Sequence, residues 1–226
     1  MSELASRAWT DVADRSYVLL VPLGSTEQHG PHLPLDTDTR IAVAVATEVA
    51  SRLEDVVVAP ALPFGASGEH AGFPGTISIG TEALHLVLVE LVRSLGSEVD
   101  RTVLVNGHGG NVEAIGTAVD LLRTEGRTVE AWSPRVAGGD AHAGETETSL
   151  LLALDPSAVR LDRAEAGNVT PLASLLPELR RGGVAAVSPN GVLGDPSTAS
   201  AERGRATLSA LAADLEATVT RTAGGT

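Results

Sequence analysis

The stretch Tyr17–Asp38, YVLLVPLGSTEQHGPHLPLDTD, decides the fold. Its first seven residues, Tyr17–Leu23, form a continuous apolar run of strand length. A run that is apolar on both faces suits a strand buried between two layers of helix. A loop rich in glycine, proline, acids and histidine follows it. Then a helical period begins: Thr39–Leu53 sets Ile41, Val45, Val49 and Leu53 four residues apart. The alternation recurs along the chain. Val56–Ala59, Thr102–Val105, Thr128–Trp132 and Val184–Val187 read as further strands, and Glu82–Leu95, Val112–Thr124, Glu147–Leu154 and Ala201–Thr220 as helices. Strands alternating with helices predict an α/β fold, with a largely parallel sheet covered by helices on both faces. Leu172–Gly191 carries the turn signals of an irregular segment, a lid or a subunit contact, and Thr222–Thr226 reads as a frayed tail.

Composition narrows the function. With 226 residues, 43% of them apolar, the chain is sized for one well-cored domain. Its aromatics are only Trp9, Tyr17, Phe64, Phe73 and Trp132, so the core must be aliphatic. A net charge of −13 and the lack of any basic run argue against nucleic-acid and anionic-membrane partners. The chain has no cysteine, which excludes disulfide scaffolds, thiolate zinc sites, iron–sulfur clusters and thiol nucleophiles. With no 18-residue apolar run and no signal-like N-terminus, the expectation is a soluble cytoplasmic protein.

The histidines point to the chemistry. Five of the six (His29, His32, His70, His108 and His142) fall in Gly/Pro-rich loops; His85 falls in a helix between Glu82 and Glu90 and reads as solvated surface. Loops at the carboxyl ends of parallel strands are where α/β folds bind ligands. The first such loop carries Glu27, His29 and Asp38. Glu27 and His29, two apart in an extended loop, point the same way. The second is Asn106-Gly-His108-Gly109-Gly110-Asn111, which opens a helix but lacks a P-loop lysine. The third is Asp140-Ala-His142-Ala-Gly-Glu145-Thr-Glu147. Taken singly, each has a bland reading as a polar loop, a helix cap or a favourable helix N-terminus. Three acid-and-imidazole clusters at three strand ends together read as a metal site for zinc, manganese or iron(II). The loop Gly65–Thr76, with Ser67, Glu69 and His70, is too glycine-rich to pack a core and reads as a pocket wall.

Four segments, PLGSTEQHGPHLPLDTD, SGEHAGFPGT, VNGHGGN and HAGETETS, occur in the order found in the creatininase family of metal-dependent amidohydrolases, which the chain resembles from about Val18 to Leu154. The resemblance implies a three-layer α/β/α fold over a single domain, residues 1–226, a two-metal site and a homo-oligomer, often a hexamer. It implies that Glu27 and His108 hold one metal, that His29 holds the other and that Asp38 bridges them. Creatininase has a further carboxylate where this chain has Gly110; Glu145 is the expected replacement, with Glu147 as a supporting or alternative group. His142 matches the family's candidate proton donor. Ser67, Glu69, His70 and Gly109 are the expected substrate contacts. Gly109 stands where creatininase has a tyrosine that helps hold its cyclic substrate, which argues against creatinine here. The pattern is most similar to a branch that cleaves a modified ribosomal precursor peptide near its C-terminus and releases a valine–tyrosine-derived product. A second branch, which deformylates a formamide-pyrimidine ribotide, shares the motifs.

The implied chemistry is attack on an amide by a metal-activated water, with His142 supplying a proton to the leaving amine. Ser25, Ser67 and Ser149 lack the G-x-S-x-G setting of a serine hydrolase. A non-catalytic metal-binding protein would have no use for His142. A nucleotide-binding protein would bind phosphate at Asn106–Asn111 without a metal.

Overall fold

The computed structural model describes residues 3–13 and 15–221; the expected frayed tail, Thr222–Thr226, lies outside them. Strands β1 (Tyr17–Leu23), β2 (Val56–Val58), β3 (Val99–Asn106) and β4 (Val129–Trp132) form one all-parallel sheet in the order β2-β1-β3-β4. The register pairs Val18 with Val56, Leu20 with Val103 and Leu104 with Ala131.

The pleat of β1 splits the core in two. Leu20, with Val103 and Val105 of β3, packs against α1 (Thr37–Ala50) and α6 (Ala201–Thr220), beside which lies α4 (Glu145–Leu154). Leu19, Val21 and Leu23 turn the other way, onto α2 (Thr81–Arg93) and α3 (Val112–Thr124). The sheet is thus the middle of three layers, as the run-on apolar strands predict. Truncating fully buried Leu20 to Ala would cost roughly 2–5 kcal/mol.

The strand order also positions the site. The chain leaves β1 over α1 to reach β2, then returns over α2 past β1 to reach β3. Right-handed crossovers running in opposite directions put α1 and α2 on opposite faces. A crevice therefore opens at the carboxyl ends of β1 and β3, the usual place for a ligand in such a sheet.

The element boundaries shift slightly. α1 starts at Thr37 and stops before Leu53, and α4 starts at Glu145, so both of its acids are helical. Val184–Val187 is a correction: it is the end of α5 (Leu172–Val187), not a strand. Four apolar residues are too few to separate the two periods. Val184 buries its side chain beside Leu175 and Leu193, away from the sheet. Most of the expected irregular segment is this helix, which breaks at Gly183 (φ 70°). His85 is half-buried and bonded to Thr117 Oγ1 at 3.0 Å, so it is not simply solvated. Among the described residues, no helix is long and apolar enough to cross a membrane.

Candidate metal centre

Four chain segments converge on the crevice. The loop after β1 brings Glu27 and His29, the first turn of α1 brings Asp38, the turn after β3 brings His108, and the stretch running into the first turn of α4 brings His142 and, from the helix itself, Glu147. Glu27 and His29 are fully buried, and Asp38, His108 and His142 nearly so. Asp38 does not cap its helix; its carboxylate faces inward and accepts a hydrogen bond from Ser25 Oγ at 2.8 Å. It lies between two imidazoles, with His29 Nε2 3.0 Å from Oδ1 and His108 Nδ1 3.1 Å from Oδ2. Glu27 lies between two more contacts: His70 Nε2 is 3.2 Å from its Oε1 and His108 Nε2 is 3.2 Å from its Oε2. Glu147 Oε2 is 3.9 Å from His29 Nε2.

The supporting bonds fix which nitrogen faces inward. His29 Nδ1 lies 3.1 Å from the Glu27 carbonyl oxygen, which can only accept, so that nitrogen carries the hydrogen and Nε2 faces Asp38 and Glu147. His142 Nε2 lies 2.8 Å from the Gln28 carbonyl oxygen by the same logic, leaving Nδ1 3.9 Å from Glu27 Oε1. The Ala143 N–H donates to Glu147 Oε2 at 2.6 Å, and Ala143 holds a positive φ of 53° to do so.

Charge in this cluster is unevenly shared. Burial pushes His29 down, but Asp38 more than offsets it and holds the imidazole protonated up to about 10. His108 is likewise depressed by burial and then raised well above its ordinary value by Asp38 and Glu27. Burial opposes the ionisation of Asp38, yet the same two imidazoles hold its carboxyl well below the usual carboxylate range. Burial lowers His70 to about 4 and, with His29, holds His142 well below its ordinary value, so both are neutral. Burial pushes Glu147 up to about 7.

These residues fit a pair of cations. Neither oxygen of fully buried Glu27 takes part in a hydrogen bond: the imidazole nitrogens at 3.2 Å are near enough for charge attraction but not aligned to donate. A buried carboxylate without donors is costly unless a cation sits against it. Glu27, Asp38 and His108 offer ligand atoms all within 4.8 Å of one another, as do His29, Asp38 and Glu147, with Asp38 common to both sets. Glu27, His29 and His142 form a third such group. The mixture of carboxylate and imidazole suits zinc, manganese or iron(II).

Glu145 is not brought to the cluster. Its carboxylate accepts from Ser149 Oγ at 2.9 Å and Arg203 Nη1 at 3.2 Å, while Glu147, two residues further round α4, faces His29. The expected substrate contacts do surround the centre. Ser67 Oγ is 3.5 Å and Glu69 Oε1 3.4 Å from His108 Nε2, and Gly109 lines two cavities that open beside His108. His70 lies deeper than a pocket wall would, directly against Glu27. A side chain at Gly110 would collide with the Ala66 carbonyl, the His108 ring and Glu69.

Sequence reasoning passed over the residues that brace these groups. Gln28 Nε2 lies 2.9 Å from His70 Nδ1 and donates to the Gly191 carbonyl at 3.0 Å. Asn111 donates to the Gly24 carbonyl and accepts from the Ala66 N–H, tying three loops together. His32, lowered to about 4 by burial, sits 2.9 Å from Thr148 Oγ1 and anchors the first loop to α4. Their one signal was position: each lies within a motif, beside a group that carries the chemistry.

A family model described as Creatininase, creatinine amidohydrolase, matches residues 3–219. A protein of Mycobacterium tuberculosis (strain CDC 1551 / Oshkosh), described as a mycofactocin precursor peptide peptidase, is 55% identical over 231 residues, covering 98% of this chain and 92% of its own length. A solved structure described as Creatininase Mn matches with a TM-score of 0.78 and 29% identity, covering 96% of this chain and 97% of its own. A mutant creatininase described as Zn-Zn type matches with a TM-score of 0.78 and 28% identity, covering 96% of each chain.

Proposed function

We propose a substrate from a plain premise: this chain belongs to the creatininase family and is a metal-dependent hydrolase of C–N bonds. Its substrate is the modified mycofactocin precursor peptide, cut near the C-terminus to release the valine–tyrosine-derived moiety. The observation that carries this reading is the 55% identity, over 98% of the chain, to a mycofactocin precursor peptide peptidase.

Glu27, Asp38 and His108 would hold one divalent ion and His29, Asp38 and Glu147 the other. Bound there, the ions would supply Lewis acidity toward the amide carbonyl and make a water nucleophilic near neutral pH. The protein's part is positioning and proton transfer. Ser25 fixes Asp38 between the two ligand sets, and the Glu27 carbonyl fixes the His29 ring. His142 is neutral, and with Nε2 held by the Gln28 carbonyl its Nδ1 faces the cluster, the position from which it would pass a proton to the leaving nitrogen. Ser67, Glu69 and Gly109 line the approach.

A cytoplasmic location and a homo-oligomeric assembly, a hexamer or similar, complete the proposal. Exposed Leu86 and Val87 on α2 and Val112 at the start of α3 are apolar surface that an assembly would cover, and light scattering on the eluting protein tests it.

The test of function is mass spectrometry of the modified precursor peptide incubated with protein reloaded with zinc, manganese or iron(II). Release of the C-terminal fragment, lost on chelation, is the expected result. An intact peptide with every metal would overturn the assignment and turn attention to a formamide or cyclic amide.

A further inference from the structure

Two cavities open at the centre. One, of about 460 Å³, is walled by Ile41, Asn106, Ser133, Leu150 and Leu211, and so by several elements of the sheet and its helices. The other, of about 410 Å³, is walled on its outer side by Leu172, Leu176, Leu179 and Arg180 of α5. Both include His108, Gly109, His142 and Leu172, so the two cavities adjoin at the centre and a chain held there can reach into each. Each is of a size that holds a small ligand.

The two sides differ in reach. The α5 side runs on: a third cavity of about 470 Å³ shares Glu69, Leu179 and Arg180 with it and continues to Arg181 and Gly183. Leu172 and Leu176 are 43% and 39% exposed along this path. That is a route for an extended chain, whereas the first cavity suits a short end. Arg180 lines both cavities of this route, whereas Arg181 lines only the outer one. Arg180 is exposed and, among the described residues, has no ion pair or hydrogen bond, in a protein whose net charge is −13. An unpaired guanidinium beside an apolar wall is suited to fork onto a carboxylate.

We infer that Arg180 is a specificity residue that binds an acidic side chain of the peptide on the N-terminal side of the scissile amide, with Leu172, Leu176 and Leu179 holding the apolar residues between. The inference rests on the peptidase reading. In this arrangement the longer, leader part of the substrate lies along α5, and the short C-terminal part occupies the cavity at Asn106 and Ser133.

Peptides built on the precursor's C-terminal segment, carrying in turn an acidic, an amide and a lysine residue at each position before the cut, test this by kcat/KM. At one position wild type should prefer the acidic peptide by about tenfold or more. Arg180→Glu should invert that order, favouring lysine, with metal content unchanged. Arg180→Lys should keep part of the preference. If wild type cleaves all three versions equally at every position, or Arg180→Glu slows all of them alike, the inference fails while the peptidase reading stands. If wild type cleaves none, both fail.

Discussion

Glu27→Gln separates a metal ligand from a structural acid. The substitution keeps the side chain's volume and removes its charge. Glu27 is fully buried with no hydrogen bond to either oxygen, so in the metal-free fold removing its charge relieves a burial cost and forfeits its attraction to His108, two effects of opposite sign. A unit charge pair at 4 Å is worth about 4 kcal/mol at an effective dielectric constant near 20. A ligand lies closer than that to a doubly charged ion, while the remaining amide oxygen recovers part of the loss. At least a hundredfold weaker metal binding is the expected outcome. Through linkage, a hundredfold loss removes about 2.7 kcal/mol of metal-induced stabilisation. For a chain of this size that is roughly 5–10 °C of Tm. Thermal melts of wild type and variant, each with and without zinc or manganese, read this directly. The metal-free curves should nearly coincide and the metal-loaded curves should separate. A variant that keeps the full metal-induced shift, or whose metal-free form already melts many degrees lower, would show that Glu27 is not a metal ligand.

Three further outcomes follow from the same geometry. Glu147→Gln should lower kcat at least a hundredfold, whereas Glu145→Gln should leave it within about threefold and cost at most about 1 kcal/mol of stability, because Glu145 is bonded to Ser149 and Arg203 away from the cluster. Metal uptake near pH 7.5 should release roughly two protons per chain, read with an indicator dye, because His29 holds its proton up to about 10 and His108 is also raised. The sign is fixed: both protons oppose binding, so affinity climbs with pH, while the metal-free fold has its His29 stabilisation in full below about 6.5 and loses it as pH rises through about 10. Gly110→Ala should impair metal binding or catalysis, because its Cβ would meet the Ala66 carbonyl and the His108 ring; unchanged kcat/KM and metal content would show that the loop gives way freely.

The architecture was legible where residue pattern and burial agree. The run Tyr17–Leu23 is apolar throughout because β1 is central, with helices on both faces. The cluster of Glu27, His29, Asp38, His108 and His142 was legible because acids and imidazoles in Gly-rich turns at strand ends have few other uses. Val184–Val187 misled because four apolar residues serve a helix end as well as a strand, and the break at Gly183 hides the continuity of α5. The choice between Glu145 and Glu147 turned on helix phase. Two residues apart on a helix, they point to nearly opposite sides. Glu147 shares its side with Leu150 and Leu151, both buried, and that spacing was the available signal. The bracing contacts of Gln28 and Asn111 bridge residues far apart in sequence, so no local pattern announces them.

The buried cluster is proposed to hold two ions, with Asp38 common to both ligand sets. Elemental analysis of protein reconstituted with zinc or manganese, with peptide cleavage followed as the metal is titrated in, tests it most directly. Two ions per chain are expected, with cleavage reaching its maximum only with the second, and both lost in Asp38→Asn. Full cleavage with one ion or none, or two ions retained by Asp38→Asn, would contradict the two-ion assignment.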